Sequence, residues 1–252
     1  KDVRDVVEEN HMYIRIASND FFAVSKDVVS KMIAGELTAE QAYQAFNAQL
    51  LADEKPADNE TVLTSGKAYS NVFHANGGSA AFSVMANTLR GVYGTDVLLA
   101  TANSFTGSVL QADYNQKMAA SMIMPNGLMS RQRTMTGAEL KETVRAFVEG
   151  CEGGFVPFNR GSLPVVSGIA VEVKEANGSY TLTGITRNGQ PLGDGDTVTV
   201  TCLATEKQME ALLASDSGTS AGEDAWVKST WTDYVSGGKA VLAEPENYMT
   251  LR

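Results

Sequence analysis

Residues 164–203 read PVVSGIAVEVKEANGSYTLTGITRNGQPLGDGDTVTVTCL, and this stretch decides the class of fold. Apolar side chains alternate with polar ones from Ile169 to Val173, which is the period of a β-strand with one buried face. Asn-Gly pairs at 177–178 and 188–189 are typical of tight hairpin turns between strands. The late part of the chain is therefore predicted to form several strands joined by short turns.

The preceding part of the chain mixes helical and extended patterns. Phe82 and Leu89 share one face of a helix predicted over residues 79–93, which Gly94 ends. The short apolar run at 96–100 is typical of a strand in the protein core. Helices mixed with late hairpins predict an α+β fold, in which a mixed β-sheet is flanked by helices. Further elements are predicted as helices over residues 113–121, 136–150, 207–213 and 224–235, and as a strand over 121–124.

Residues 1–55 are predicted to be mostly helical and to form an N-terminal helical hairpin. Apolar residues recur at intervals of three and four over residues 24–33, and Thr38 with Gln41 has the pattern of a helix capping box. The polar stretch 52–60 contains a proline and is typical of a linker. The predicted domains are a helical connector or appendage, residues 1–57, and a main domain, residues 58–252.

Composition excludes two classes of partner. The 252 residues carry a formal net charge of -10, and a nucleic-acid-binding surface needs a concentrated basic patch. The densest basic cluster is predicted to be a solvated face rather than such a patch; it comprises Arg131, Arg133, Lys141 and Arg145. No apolar run approaches the roughly 20 residues that span a bilayer. We therefore expect neither nucleic acid nor a membrane span.

Cysteine and histidine are too few for the usual kind of metal site. The chain has two cysteines, Cys151 and Cys202, and two histidines, none of them in a metal-binding spacing. The two cysteines either form one disulfide or stay as two buried free thiols. The start at Lys1, without a signal-peptide pattern, is expected for a mature secreted protein or for a piece cut from a longer polypeptide.

Four segments, taken in order, resemble the C-terminal domain of the 5′-nucleotidase family. They are residues 95–103 (TDVLLATAN), 135–141 (MTGAELK), 164–169 (PVVSGI) and 188–192 (NGQPL). The resemblance runs from about residue 60 to the C-terminus and implies the fold of that domain. In the family this domain supplies the nucleotide pocket, whereas a separate N-terminal domain carries two metal ions that activate water. The resemblance thus implies no cofactor in this chain, and divalent metal ions only in a missing N-terminal domain.

The binding motifs of the family are altered in this sequence. Where the family has Gly-Gly-x-Arg, residues 103–106 read NSFT and lack the arginine that would clamp a phosphate or ribose. Residues 125–128 (PNGL) keep the proline of a Pro-Phe-x-Asn motif but lack its ring. Residues 203–209 (LATEKQM) lack the second aromatic ring and the Gly-Gly-Asp-Gly loop. Scaffold motifs therefore persist where binding motifs do not.

One loop offers binding chemistry that the family motifs do not supply. Residues 155–161 (FVPFNRG) place two aromatic rings next to an arginine, which suits the stacking of a flat ligand and the holding of an anion. The alternative is that both rings pack on the sheet while the arginine is solvated. A ligand is expected first in a cleft edged by Asn103, Phe105, Asn126, Phe158 and Arg160. No catalytic and no metal-ligating residue is assigned.

Two functions are consistent with these observations. The first is the C-terminal substrate-binding domain of a secreted 5′-nucleotidase-like metallophosphoesterase, a fragment that is not catalytic on its own. The second is a non-catalytic extracellular ligand-binding or interaction module that kept the fold. Both predict an extracytoplasmic location (secreted, periplasmic or cell-surface). Expected partners are a nucleotide or nucleoside-like small molecule and a missing N-terminal catalytic or binding domain.

Overall fold

The structure is a computed structural model in which described residues are 11–17, 20–25, 30–31, 33–38, 41, 60–72, 78–124, 127–149, 164–177, 179–206, 208–209, 213, 218–238 and 240–252. Its helices are α1 (Ala80–Tyr93), α2 (Gln116–Ala120), α3 (Gly137–Glu149) and α4 (Val227–Ser236). The first seven strands are β1 (His11–Ala17), β2 (Asp20–Ser25), β3 (Leu63–Thr64), β4 (Val97–Thr101), β5 (Asp113–Tyr114), β6 (Leu128–Thr136) and β7 (Pro164–Ser167). The others are β8 (Ala170–Ala176), β9 (Ser179–Arg187), β10 (Gln190–Pro191), β11 (Thr197–Thr205), β12 (Thr219–Ser220), β13 (Ala225–Trp226) and β14 (Met249–Leu251).

A mixed sheet forms the centre of the fold. Its strand order is β12-β6-β11-β4-β7, and β13 also pairs with β6. Strand β11 runs antiparallel to β6 and parallel to β4, while β4 and β7 are antiparallel. All five residues of β4 are buried, as expected for an apolar strand inside a covered sheet. The predicted α+β class with a mixed sheet is therefore confirmed.

The alternating stretch forms a second sheet. Its strand order is β10-β9-β8-β14, with β8 and β9 joined as a hairpin and the C-terminal strand β14 added parallel to β8. Asn177 and Asn188 adopt φ angles of 54° and 53°, the left-handed conformation that tight hairpin turns demand. Both turns lie where the Asn-Gly pairs predict them.

Helix α1 is buried on nearly every side. It packs against β4 and β7, and all nine residues from Ala81 to Leu89 are buried. The C-terminal segment runs along its other side: Ser83 Oγ donates to the Glu246 carbonyl at 2.9 Å, and Asn87 Nδ2 donates to the Glu244 carbonyl at 2.8 Å. These bonds satisfy polar side chains that burial would otherwise destabilise. Gly94, with a φ of 66°, ends the helix as predicted.

In the middle of the chain one predicted element is wrong and another is shorter than predicted. The predicted strand over 121–124 reduces to a single bridge between Ile123 and Phe105, and the predicted helix over 113–121 begins only at Gln116. Strand β6 was not predicted at all. Its sequence LMSRQRTMT is largely polar, and nine-residue pairing with β11 holds it extended. Long-range pairing thus overrides a weak local signal.

The N-terminal part differs from its predicted helical character. Residues 11–25 form an antiparallel hairpin of β1 and β2, so the helix predicted over 24–33 is wrong at its start. Helical backbone is present at Ser30, Lys31 and Ile33. The predicted capping box is confirmed by reciprocal bonds: the Thr38 N–H donates to Gln41 Oε1 at 2.9 Å, and the Gln41 N–H donates to Thr38 Oγ1 at 3.2 Å. The predicted domain boundary near residue 57 stays a prediction.

Candidate functional site

Two of the five predicted binding residues, Asn103 and Phe105, lie just after the carboxyl end of β4. After Thr101 the chain makes a short 3₁₀ turn, and Asn103 is exposed on it. Phe105 follows but is only 5% exposed, and its ring stacks on Phe82 with centroids 6.0 Å apart. The ring therefore belongs to the core between α1 and the sheet. It is not available to stack on a ligand.

The other predicted binding residues cannot be placed beside these two. Asn126, Phe158 and Arg160 lie outside the described residues, as does the 155–161 loop. The grouping of the five residues around one cleft stays a prediction. Phe105 is the member that a long-range contact with Phe82 buries, and the assignment of all five residues stays a prediction.

Two buried hydroxyl groups at this end of β4 were not identified from the sequence. Ser104 Oγ and Thr106 Oγ1 have no hydrogen-bond partner within the described part of the chain. Buried hydroxyls are nearly always paired with protein or with ordered water, so these two mark a place that water or a ligand would satisfy. Their position directly after an apolar strand was the available signal, since chain segments at strand ends frequently form sites.

At the opposite, amino end of β4, Asp96 is held by three bonds. Its Oδ2 accepts the Thr199 N–H at 2.8 Å and the Thr199 hydroxyl at 3.0 Å, and its Oδ1 accepts Arg187 Nη2 at 2.5 Å. The Thr199 N–H and hydroxyl, together with Arg187, hold the pKa of Asp96 below its ordinary value of 3.8 despite partial burial. Asp96 thus joins β4 to β11 and to β9 of the second sheet, as a structural carboxylate that binds backbone.

Arg90, in the last turn of α1, lies beside Asp96. Its Nε donates to Ser167 Oγ at 2.8 Å, and its Nη1 lies 3.5 Å from the Asp96 carbonyl oxygen. Ser167 Oγ in turn donates to Asn87 Oδ1. The Ser-Gly of the 164–169 segment therefore connects α1 to β7.

A cleft of about 420 Å³ opens at this amino end of β4. Its walls are the end of α1, the start of β4, the β7–β8 turn, the β9–β10 turn and the segment before β14. Arg90 and Arg187 line it together with Asp96 and Glu246. No local sequence pattern unites these residues, because they come from distant parts of the chain.

The predicted basic cluster is not a uniformly solvated face. Arg131 binds Asp224 through Nε at 3.0 Å and Nη2 at 2.6 Å, and the Arg131 side chain is only 29% exposed. Arg145, in contrast, has a side chain that is 43% exposed, and it pairs with neighbouring glutamates of α3. The prediction is therefore wrong for Arg131 and holds for Arg145.

Of the two cysteines, only Cys202 lies among the described residues. Cys202 is a free thiol, wholly buried in β11, and burial raises its pKa to about 12. Cys151 lies outside the described residues. Among the described residues, no group of three or more His, Cys, Asp and Glu side chains could hold a metal ion. Within the same residues, no helix is long and apolar enough to cross a membrane.

The Asp96 bonds predict a specific pH dependence of stability. Because the pKa of Asp96 is lowered on folding, its stabilisation is present above the unfolded value and is lost as pH falls through the folded value. We expect Asp96→Asn to lower the free energy of unfolding at neutral pH. The difference from the unsubstituted protein should shrink as pH falls below 3.8, because the aspartate is protonated first in the unfolded chain and then, at its lower folded pKa, in the native protein.

Urea unfolding at about pH 7 and about pH 3 measures this difference. Asp233→Asn, at an exposed position of α4, is the matched control and should show no such trend. A constant Asp96→Asn difference across this range would contradict the assigned role.

Comparison with known proteins identifies the fold. Neither the protein-family models nor the curated proteins gave a match to this sequence. Among solved structures, a 5′-nucleotidase precursor from Thermus thermophilus is 13% identical with a TM-score of 0.57, over 84% of this chain and 43% of that chain. The NAD nucleotidase from Haemophilus influenzae is 14% identical with a TM-score of 0.55, over 95% of this chain and 48% of that chain.

A third similar structure is the sulfate thiohydrolase SoxB from Thermus thermophilus, in complex with glycerol. It is 14% identical with a TM-score of 0.57, over 92% of this chain and 41% of that chain. The chain thus spans less than half the length of each of these proteins. Its fold is that of the C-terminal domain of the 5′-nucleotidase family, as the four sequence segments predict.

Proposed function

We propose that this chain is the substrate-binding C-terminal domain of a secreted or periplasmic 5′-nucleotidase-like hydrolase, and that it is not catalytic on its own. The observation that carries the proposal is the domain fold, which extends over nearly all of this chain but under half of each similar protein. In this proposal an N-terminal domain holds the divalent metal ions. Those ions would supply the activated water for phosphate-ester hydrolysis.

The side chains at the carboxyl end of β4 support a binding role over a catalytic one. Asn103 is exposed there, and the buried hydroxyls of Ser104 and Thr106 lack partners among the described residues. Such groups donate and accept hydrogen bonds at neutral pH but do not exchange a proton readily. The ligand proposed for this end is a nucleotide or nucleoside-like molecule.

We expect the isolated chain to release no phosphate from AMP in the presence of Mn²⁺. The sequence supplies no array of histidine and acidic ligands for two metal ions. Colorimetric phosphate detection measures the activity, and a parallel reaction with chelator controls for metal dependence. Protein-dependent phosphate release that the chelator abolishes would contradict the non-catalytic part of the proposal.

We also expect AMP and adenosine to bind weakly. Residues 103–106 lack an arginine, and residues 125–128 and 203–209 lack the two stacking rings of the family, so a charged contact and the stacking contacts are absent. Each such contact is worth about 1–3 kcal/mol. Isothermal titration calorimetry should therefore give no dissociation constant in the low-micromolar range, and a value in that range would show that other residues replace these contacts.

The second function, a non-catalytic extracellular interaction module, is favoured by the same burial of Phe105. A fold does not determine function, and a ring that packs in the core is compatible with a scaffold that binds no flat ligand. The full-length amino-acid sequence upstream of Lys1 distinguishes the two. Metal-ligand motifs there would support the hydrolase domain, whereas a solute-binding or adhesion region would support the module.

A further inference from the structure

The cleft at the amino end of β4 has the dimensions of a small-molecule site. Its volume of about 420 Å³ falls inside the range of about 300–1,000 Å³ that ligand pockets occupy. It lies at the opposite end of β4 from Asn103 and the predicted nucleotide site, so it is a separate place on the molecule. Below, we call it the Arg90 cleft.

Arg90 supplies a cation that no carboxylate of the described residues pairs with. The side chain is half-buried, and its hydrogen bonds are with a hydroxyl, that of Ser167, and a backbone carbonyl, that of Asp96. No carboxylate of the described chain forms an ion pair with it. A guanidinium that is partly desolvated and neutralised by no fixed anion favours an oxyanion ligand, because its planar N–H groups match the two oxygens of that ligand.

Arg187 supplies further donors on the facing wall. Its Nη2 binds Asp96, but a guanidinium has five N–H donors, and no other bond of Arg187 is formed with the described residues. The charge of Asp96 is already compensated by Arg187 and by both donors of Thr199. Asp96 therefore competes only weakly with an incoming anion for the remaining arginine donors. Two arginines therefore face the cleft with donors to spare.

One wall of the Arg90 cleft is closely packed, whereas two other positions on its lining leave open space. A Cβ atom at Gly168 would lie only 3.1 Å from Arg90 Cδ, so the β7–β8 turn rests on the stem of this arginine and limits its movement. Cβ atoms at Gly94 and Gly189, in contrast, would meet no atom within 4 Å. Missing side chains at these two positions leave room for a ligand, and a preheld arginine reduces the entropy lost on binding.

We propose that the Arg90 cleft binds a small molecule through a single carboxylate group, which Arg90 and Arg187 clamp together. The charges of the lining select a monoanion. Glu246 brings a negative charge to the same cleft, so a dianion such as a phosphate monoester meets more repulsion than a carboxylate does. The site is independent of the proposed nucleotide-binding function.

The probe that tests this assignment is sodium acetate, titrated into the ¹⁵N-labelled full chain at constant ionic strength. We expect saturable shifts of the backbone amide resonances of Gly94, Gly168 and Gly189, with a dissociation constant on the order of 1–10 mM for so small a ligand. Inorganic phosphate should bind more weakly than acetate. Absence of saturation, saturation confined to other amides, or tighter binding of phosphate would each overturn the assignment.

Arg90→Gln is expected to weaken acetate binding at least about tenfold, because it removes a charged hydrogen-bond donor. Arg145→Gln is the matched control, since it removes one exposed positive charge outside the cleft and should change affinity less than about twofold. If Arg90→Gln fails to fold, Arg187→Gln makes the same test. Undiminished binding in the folded variant would overturn the proposal.

Asn103→Ala separates this site from the proposed nucleotide site. It lies at the other end of β4 and should leave acetate binding unchanged. A loss of acetate binding in this variant would overturn the location of the carboxylate site. Failure of AMP to bind in calorimetry would bear only on the proposed function.

Discussion

Replacement of Gly168 by alanine is expected to destabilise the protein by at least about 3 kcal/mol. Gly168 has a φ of 83°, which an alanine adopts only with strain. The added Cβ would also lie 2.0 Å from the Asp96 carbonyl oxygen, which is a backbone atom and cannot rotate away. The β7–β8 turn or the start of β4 must therefore move, and the Asp96 and Arg90 bonds would be distorted.

The measurement is the midpoint of thermal unfolding followed by circular dichroism. At about 2–4 °C per kcal/mol for a domain of this size, the midpoint should fall by at least about 6 °C. Gly189→Ala is a matched control, because Gly189 has a similar φ of 76° but open space around its Cβ position. Gly189→Ala reports the backbone strain alone, about 1–2 kcal/mol. Equal losses in the two variants would show that contact with the Asp96 carbonyl costs nothing.

The close contact at Gly168 illustrates why the four family-like segments predicted the fold but not a binding site. Their residues meet the demands of packing rather than those of a ligand. Gly137, in the Thr-Gly of the 135–141 segment, is in a similar position, because a Cβ there would lie 1.9 Å from the Gly193 carbonyl oxygen. Asp96 binds the Thr199 backbone, and Asn188 forms a hairpin turn. These segments are thus fixed by packing and backbone geometry, which any protein with this fold must satisfy whatever it binds.

Elements with strong local signals were predictable from the sequence. Helix α1 has an apolar face and a terminal Gly94, and the β8–β9 hairpin has alternation and an Asn-Gly turn. Strand β6 was not predictable in this way. Its central residues 131–133 are polar, and its extended state depends on β11, which is paired with it from more than 60 residues along the chain. A single-sequence pattern contains no information about that pairing.

The residues of the candidate sites also divide into those that a local pattern predicts and those that depend on long-range contacts. Asn103 is exposed on the turn that follows an apolar strand, whereas the burial of Phe105 depends on its contact with Phe82 in a helix more than 20 residues earlier. Arg90 and Arg187 line one cleft only because α1 and the second sheet meet at the start of β4. Hydrophobic and turn patterns predict elements, but they do not predict which charged residues the assembled elements bring together.

Trp231→Ala is expected to destabilise the protein by about 3–5 kcal/mol. Trp231 lies on α4 with no exposed surface, and its Nε1 donates to the Ala119 carbonyl oxygen of α2 at 2.7 Å. Truncation leaves a large cavity between α2 and α4. The carbonyl itself keeps one partner, since the Met122 N–H also donates to it at 3.1 Å, so most of the loss arises from packing.

Urea unfolding followed by far-ultraviolet circular dichroism measures this loss, and the second tryptophan provides the control. Trp226 is 53% exposed at the end of β13, so Trp226→Ala should change the free energy of unfolding by no more than about 0.5 kcal/mol. Trp231→Phe restores most of the buried volume without the hydrogen bond and should recover more than half of the loss, because packing contributes most of the effect. A Trp231→Phe variant as unstable as Trp231→Ala would show instead that the bond to Ala119 dominates.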